Sequence, residues 1–118
     1  MLVSREFSFV GAHQLPHYQG KCERLHGHTW RLRVTVQAQV GPDGIAFDFA
    51  ELGRIVRDKV IEKLDHTFLN DMIPNPSAEN IAYWVWEQLK ELPLLEIRVW
   101  ESEDTFVTLR REDLRQDA

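Results

Sequence analysis

The chain is poor in cysteine, long apolar runs and positive charge, and each shortage excludes a class of protein. Its one cysteine, Cys22, cannot form an intrachain disulfide, so no feature of the sequence indicates secretion. No apolar stretch approaches the roughly 18–20 residues that a membrane span needs. Arg5 and Glu6 lie where the apolar centre of a signal peptide would be. We therefore expect a cytoplasmic protein with no membrane partner.

The charge balance argues against a nucleic-acid partner. There are 14 Lys and Arg residues against 19 Asp and Glu residues, a formal net charge of −5. Binding to duplex DNA needs clustered cations for the phosphates. A small anionic substrate remains compatible with this balance if a few cations gather locally. A length of 118 residues with 43% hydrophobic residues predicts a single globular domain, residues 1–118.

Alternation of apolar and polar residues predicts four strands. The first two are expected at Leu2–Ala12 and His28–Val40, and the second alternates over its whole length. The last two are expected at Leu95–Trp100 and Phe106–Arg110. Clean alternation is typical of an antiparallel sheet with one covered face.

Two amphipathic helices are predicted between the second and third strands. Asp48 and Ser77 are their expected N-caps, and Pro93 follows the second helix. The expected apolar stripes are Leu52, Ile55, Val56, Val60 and Leu64 in the first helix, and Ile81, Ala82, Val85 and Leu89 in the second. The order ββααββ predicts an α+β fold, a four-stranded antiparallel sheet with two helices on one face.

The predicted sheet has open edges. The second strand, about 13 residues, is roughly twice the usual length. Long strands with open edges favour continuation of the sheet into neighbouring chains, so we expect self-association. The alternative is a monomer whose edges are protected by charge.

Histidines are concentrated near the start of the second strand. His26 and His28 are two residues apart, so on a strand they face the same side and form half of a metal site. His13 and His17, at the end of the first strand, are both candidates for a third ligand. Three imidazoles with an open position suit catalytic zinc. The alternatives are a closed structural site with Cys22 as fourth ligand, or histidines that bind no metal.

Two carboxylates are further candidates for chemistry. Asp65 precedes His66 at the end of the first helix, where it could orient or charge the imidazole, although a solvated helix end is the simpler interpretation. Glu101 continues the covered face of the third strand. A fixed carboxylate accepts two parallel N–H donors, the pattern that guanine or a pterin presents. The alternative is that the strand ends at Trp100 and leaves Glu101 solvated.

Seven short motifs occur in a fixed order along the chain. They are Phe7-Ser8-Phe9-x-Gly-Ala-His13, Cys22-x3-His26-Gly-His28, Asp48-Phe49-Ala50-Glu51-Leu52, Leu64-Asp65-His66, Leu69-Asn70-Asp71, Asn75-Pro76-Ser77-x-Glu79 and Trp100-Glu101. Together they resemble the 6-pyruvoyl-tetrahydropterin synthase family over nearly the whole chain. The short spacing from Cys22 to His26 is most similar to its bacterial branch, the 6-carboxy-5,6,7,8-tetrahydropterin synthases of queuosine biosynthesis.

The resemblance implies roles for individual positions. His13, His26 and His28 match zinc ligands, and Cys22 matches a catalytic thiol. Asp65 and His66 match the partners of that thiol in a proton relay. The expected pterin-binding residues are Glu101, the anchor, together with Glu79 and Ser77.

The resemblance also implies an assembly and a reaction. The family has the tunnelling fold, in which trimers close a barrel and two trimers stack into a homohexamer. The implied substrate is 7,8-dihydroneopterin triphosphate, and Lys21 and Arg24 beside the cysteine are candidates for its anionic tail. The implied products are 6-carboxy-5,6,7,8-tetrahydropterin, acetaldehyde and triphosphate. The sister activity, which forms 6-pyruvoyl-tetrahydropterin without carbon–carbon cleavage, is the nearer alternative, and a non-catalytic zinc-binding module is the more distant one.

Overall fold

The computed structural model describes residues 1–15 and 25–116, with the backbone alone at His26, Arg115 and Gln116. It contains one mixed sheet and two main helices. The strands are β1 (Leu2–His13), β2 (His26–Gln37), β3 (Thr67–Phe68), β4 (Leu94–Trp100) and β5 (Phe106–Arg110). Their order across the sheet is β3-β1-β2-β4-β5. All neighbouring pairs are antiparallel except β1 and β3, which are parallel.

The α+β class is confirmed, but the prediction of a four-stranded antiparallel sheet was wrong by one strand. β3 pairs with β1 through Gly11–Thr67 and Ala12–Phe68. The His66 N–H donates to the Val10 carbonyl at 2.6 Å just before this pairing begins. A strand of two residues has no alternation to detect, so only the contact with β1 defines it.

The helical segment after Asp48 has three consecutive parts. The helix α1 (Phe49–Val56) passes through a π-helical turn (Arg57–Ile61) into the short helix α2 (Glu62–Leu64). The Asp48 carboxylate accepts the Ala50 N–H at 2.9 Å, which confirms the predicted N-cap.

The second main helix follows a 3₁₀ turn (Leu69–Asp71). This helix, α3 (Ala78–Gln88), begins after Ser77, whose hydroxyl accepts the Asn80 N–H at 3.1 Å. A last short helix, α4, spans Asp113–Gln116. Within the described part of the chain, no helix has the length and apolar character that crossing a bilayer requires.

The core lies between one face of the sheet and the helices α1 to α3. Its strand members are the odd-numbered residues of β1 and the even-numbered residues of β2, which face the same way because of the register. The strand residues of the core include Phe7, Phe9, Trp30, Leu32, Val34, Ile97 and Val99. Its residues from the two helical segments include Leu52, Val56, Val60, Ile81, Val85 and Leu89. Both predicted helical stripes therefore pack against the sheet.

The register of β1 and β2 brings two histidine positions together at one end of the sheet. Pairing runs from Leu2 opposite Gln37 to His13 opposite His26. The second strand was expected to run from His28 to Val40, yet Val40 is 48% exposed and lies beyond the paired residues. The observed strand is displaced toward its N-terminus, so both histidines of the His-Gly-His motif lie within it.

Candidate functional site

Two histidine side chains meet at the end of the core. His13 is the last residue of β1 and is completely buried, and His28 is two residues into β2. Their ring centres are 5.2 Å apart, and both rings pack edge-on against Trp30 at 5.0 and 5.3 Å. The Trp30 indole N–H donates to the Gly11 carbonyl at 3.1 Å, which fixes the ring that supports both histidines.

The tautomer of His13 is set by a backbone carbonyl. His13 Nδ1 lies 2.8 Å from the Pro76 oxygen, in the loop before α3. A carbonyl can only accept, so Nδ1 carries the proton of this bond and, in the neutral imidazole, Nε2 presents a lone pair. This second-sphere arrangement is typical of histidines that bind metals.

Glu101 completes the cluster from the end of β4. Its Oε1 lies 3.1 Å from His28 Nε2 and 3.5 Å from His13 Nε2. The Glu101 N–H donates to the Thr105 carbonyl at 3.1 Å, so a tight turn between β4 and β5 fixes the position of the residue. Glu101 therefore lies on the covered face that its parity predicted, and it is not the solvated residue of the alternative.

We call His13, His28 and Glu101 the histidine–glutamate cluster. Their donor atoms all lie within 4.8 Å of one another, and no other described side chains form such a group of three His, Cys, Asp or Glu. Donor atoms that converge in this way can be joined by a cation placed between them. Two imidazole nitrogens and a carboxylate oxygen are donors that suit a zinc ion, so the residues present fit a divalent metal.

For several predicted site residues, the structure describes only the backbone or nothing at all. The backbone of His26 is the register partner of His13. Cys22, His17, Lys21 and Arg24 lie outside the described residues. Of the two candidates for a third histidine ligand, the described residues include only His13, which lies in the cluster.

Asp65 and His66 form a separate pair between α2 and β3. One Asp65 oxygen accepts the Val10 N–H at 2.8 Å, and the other lies 3.1 Å from His66 Nδ1. The pKa of Asp65 is lowered, chiefly by the Val10 N–H and then by the charge and hydrogen bonding of His66, against the opposing effect of desolvation. His66 has a positive φ of 59° and its side chain is 78% exposed. Both residues are thus paired with each other and fastened to β1.

Glu79 and Glu101 line one small pocket. Its volume is about 130 Å³, and its other lining residues are Ala78, Thr105, Phe106 and Val107. Ser77 caps α3 and directly follows Pro76, the residue that binds His13. The predicted pterin-binding positions therefore lie together, beside the histidine–glutamate cluster.

Pro76 and Trp30 are the functional positions that sequence reasoning missed. A backbone carbonyl has no side-chain signature, and Trp30 is indistinguishable from any other core residue of an alternating strand. No signal in a single sequence identifies the Pro76 contact, because it joins residues 63 positions apart, whereas the contact of Trp30 with His28 is between residues of the same parity on one strand.

The family model described as 6-pyruvoyl tetrahydropterin synthase matches residues 2–112. The chain belongs to this family. A relative from Archaeoglobus fulgidus, named putative 6-carboxy-5,6,7,8-tetrahydropterin synthase, is 37% identical over 94% of this chain and 96% of its own. A relative from Synechocystis, named 6-carboxy-5,6,7,8-tetrahydropterin synthase, is 42% identical over 76% of this chain and 75% of its own.

The fold is similar to that of a solved family member. The 6-pyruvoyl tetrahydropterin synthase of Caenorhabditis elegans superimposes with a TM-score of 0.83, at 25% identity, covering 93% of this chain and 94% of that one. The tunnelling fold expected from the motifs is thereby confirmed for the single chain.

Proposed function

We propose that this protein is a zinc-dependent 6-carboxy-5,6,7,8-tetrahydropterin synthase of queuosine biosynthesis. It would convert 7,8-dihydroneopterin triphosphate to 6-carboxy-5,6,7,8-tetrahydropterin, acetaldehyde and triphosphate, the reaction of a lyase. The observation that carries the proposal is the convergence of His13, His28 and Glu101 in a chain of this family. The names of the relatives at 37% and 42% identity support this branch over its sister activity.

His13, His28 and His26 are the proposed zinc ligands. The Pro76 carbonyl holds His13 in the tautomer that a metal requires, and the backbone register places His26 directly opposite His13. When bound, the metal would act as a Lewis acid that stabilises negative charge on the oxygens of the substrate side chain.

Cys22 is the proposed base. Its thiolate would take the proton from a side-chain carbon of the substrate, a step that a positive charge nearby favours because it lowers the pKa of a thiol. Asp65 and His66 would move protons in the later steps. Since His66 Nδ1 faces Asp65, its Nε2 is the atom that exchanges protons with the reactant.

Glu101 and Glu79 are proposed to orient the pterin. Both carboxylates line the same pocket, and each can accept N–H donors from the ring and its exocyclic amino group. Lys21 and Arg24 are proposed to bind the triphosphate. Assembly into a homohexamer, with sites between subunits, remains a prediction from the family and from the open strand edges.

One experiment separates the proposed reaction from its alternatives. The purified, metal-analysed protein is incubated with 7,8-dihydroneopterin triphosphate, and acetaldehyde and the pterin product are measured. Acetaldehyde formed together with the carboxylated pterin is the expected result. A pyruvoyl product without acetaldehyde indicates the sister activity, and zinc without turnover indicates a non-catalytic module. Activity that survives exhaustive chelation in metal-free protein contradicts the metal centre itself.

A further inference from the structure

The face of the sheet opposite the helices carries a cluster of arginines around one indole. We call Arg31, Arg33, Arg98 and Trp100 the arginine–tryptophan cluster. The guanidinium carbons lie 4.1, 5.2 and 5.7 Å from the centre of the Trp100 ring. Trp100 is only 5% exposed although the helices α1 to α3 pack on the other face of the sheet, because the arginines and Phe106 lie against it. Such distances are within the range of cation–π attraction.

The strand register builds this cluster in rows. One row runs across the sheet from Ser8 through Arg31 and Trp100 to Phe106. The next row runs in parallel through Arg33 and Arg98. Residues in adjacent rows on one face are two apart along a strand, so Arg31 lies directly across from Trp100, Arg98 lies beside it on its own strand, and Arg33 lies diagonal to it.

The charges of this face are not balanced. Glu6 pairs with Arg33 at 2.7 Å, and Glu96 contacts Arg98 at 3.5 Å and Arg110 at 3.2 Å. Arg31 has no carboxylate partner among the residues that the structure describes. Two glutamates therefore face four arginines across these strands, in a chain whose formal net charge is −5.

The stacking of Arg31 leaves its hydrogen-bonding capacity unused. A guanidinium stacks on an indole through its flat face, while its N–H donors point outward in the plane of the group. Arg31 is exposed to solvent, and Trp100 restricts its motion. An anion with several oxygens in a row suits donors that are preorganised in this way on neighbouring strands.

We propose that the arginine–tryptophan cluster binds a linear polyphosphate anion, with inorganic triphosphate as its simplest form. The cluster is a different site from the histidine–glutamate cluster. Trp100 and Glu101 are consecutive, and their side chains lie on opposite faces of the sheet. The site goes beyond the proposed reaction and does not require that the reaction occur.

Calorimetric titration of the purified protein with inorganic triphosphate tests the proposal. Arg31→Gln and Arg33→Gln should each weaken binding by about tenfold, the loss expected for one charge-assisted hydrogen-bonded contact. Arg54→Gln is the matched control, since Arg54 is an exposed arginine paired with Glu51 and Asp58 on α1. This control should bind as the unmodified protein does, and all affinities should fall as ionic strength rises.

A second arm distinguishes this site from the metal centre. Triphosphate held by the metal would lose its affinity in His28→Ala, whereas the arginine–tryptophan cluster should be unaffected by that change. Titration with ATP shows whether the phosphate chain alone is recognised or a nucleoside adds affinity. Either result supports the proposal, provided that Arg31→Gln weakens the binding that is measured.

Three outcomes would overturn the proposal. The first is equal affinity of Arg31→Gln, Arg33→Gln and Arg54→Gln. The second is loss of all triphosphate binding in His28→Ala. The third is a change of molar mass by light scattering in Arg31→Gln with unchanged triphosphate affinity, which would make this face a contact between copies of the chain.

Discussion

The histidine–glutamate cluster and the Asp65–His66 pair use the same residue types in opposite environments. His13 is completely buried and its ring is fixed by the Pro76 carbonyl and Trp30, whereas the side chain of His66 is 78% exposed. Burial in the cluster makes converging donor atoms costly unless a cation joins them. Exposure of the pair lets a proton exchange with its surroundings. The same residue types thus suit the two roles proposed for them, metal binding in the buried cluster and proton transfer in the exposed pair.

The largest expected effect separates the two regions by metal content. His28→Ala removes a proposed ligand, so metal affinity should fall by more than about 100-fold, the loss that removal of an outer partner alone can cause. His66→Ala is the control, since an exposed histidine of the other region should leave the metal content unchanged. Elemental analysis of both purified variants measures this. Full occupancy in His28→Ala would contradict the ligand assignment.

The next effect separates proton removal from metal binding. Cys22→Ala should keep the fold and the zinc but reduce turnover by about 10²–10⁴-fold, the usual contribution of a general base. Turnover and zinc content are measured on the same preparation. Zinc that is lost together with activity would instead favour the closed site with Cys22 as fourth ligand.

A smaller effect tests how Glu101 is used. Glu101→Gln has the same shape, but one oxygen acceptor becomes an N–H donor facing the N–H groups of the pterin. Pterin binding should weaken by about 10–100-fold, while the imidazoles retain the metal. Binding is measured by titration with a non-reactive pterin. If the variant loses its metal and binds pterin normally, Glu101 is a ligand and the anchor lies elsewhere.

The smallest effect concerns the charge of Asp65. Because the folded state lowers the pKa of Asp65, the ionised carboxylate stabilises the fold at pH values above the ordinary aspartate pKa of about 4. This contribution is lost as the pH falls through the lowered pKa. Asp65→Asn should therefore have a lower free energy of unfolding than the unmodified protein at pH 7. At strongly acidic pH, where Asp65 is protonated, the two proteins should have the same free energy of unfolding.

Denaturant unfolding of the metal-free protein and the metal-free variant at several pH values measures this difference. A difference that stays constant from neutral to acidic pH would show that the charge is not its source.

The sequence predicted the regular elements well where the periodic pattern extended over many residues. The alternation of β2 and the stripe of α3 were sufficient to identify both, and the N-caps Asp48 and Ser77 located the helix starts. The π-helical turn Arg57–Ile61 and the strand Thr67–Phe68 escaped prediction. Both are too short to show a periodic pattern, and both depend on packing or pairing with segments that are distant in the chain.

Part of the candidate site could also be predicted from the periodic pattern of the strands. The placement of His28 and Glu101 on one covered face was predicted from strand parity, and His13 was one of two candidates to join them; the structure brings the three together. The interpretation of Asp65–His66 as a solvated helix end fits the 78% exposure of the His66 side chain, but it did not include the Val10 N–H that fastens Asp65 to β1. This bond joins residues 55 positions apart, so local spacing contains no trace of it.

The sequence by itself determined which residue faces the core, because side-chain direction along a strand or helix follows from its period. It thereby determined the class of the fold and the kinds of donor available. Only the tertiary structure decided which donors meet. The register of β1 with β2, the loop that brings the Pro76 carbonyl to His13, and the turn that returns Glu101 to the histidines all join distant segments. Their relative positions depend on how the whole core packs.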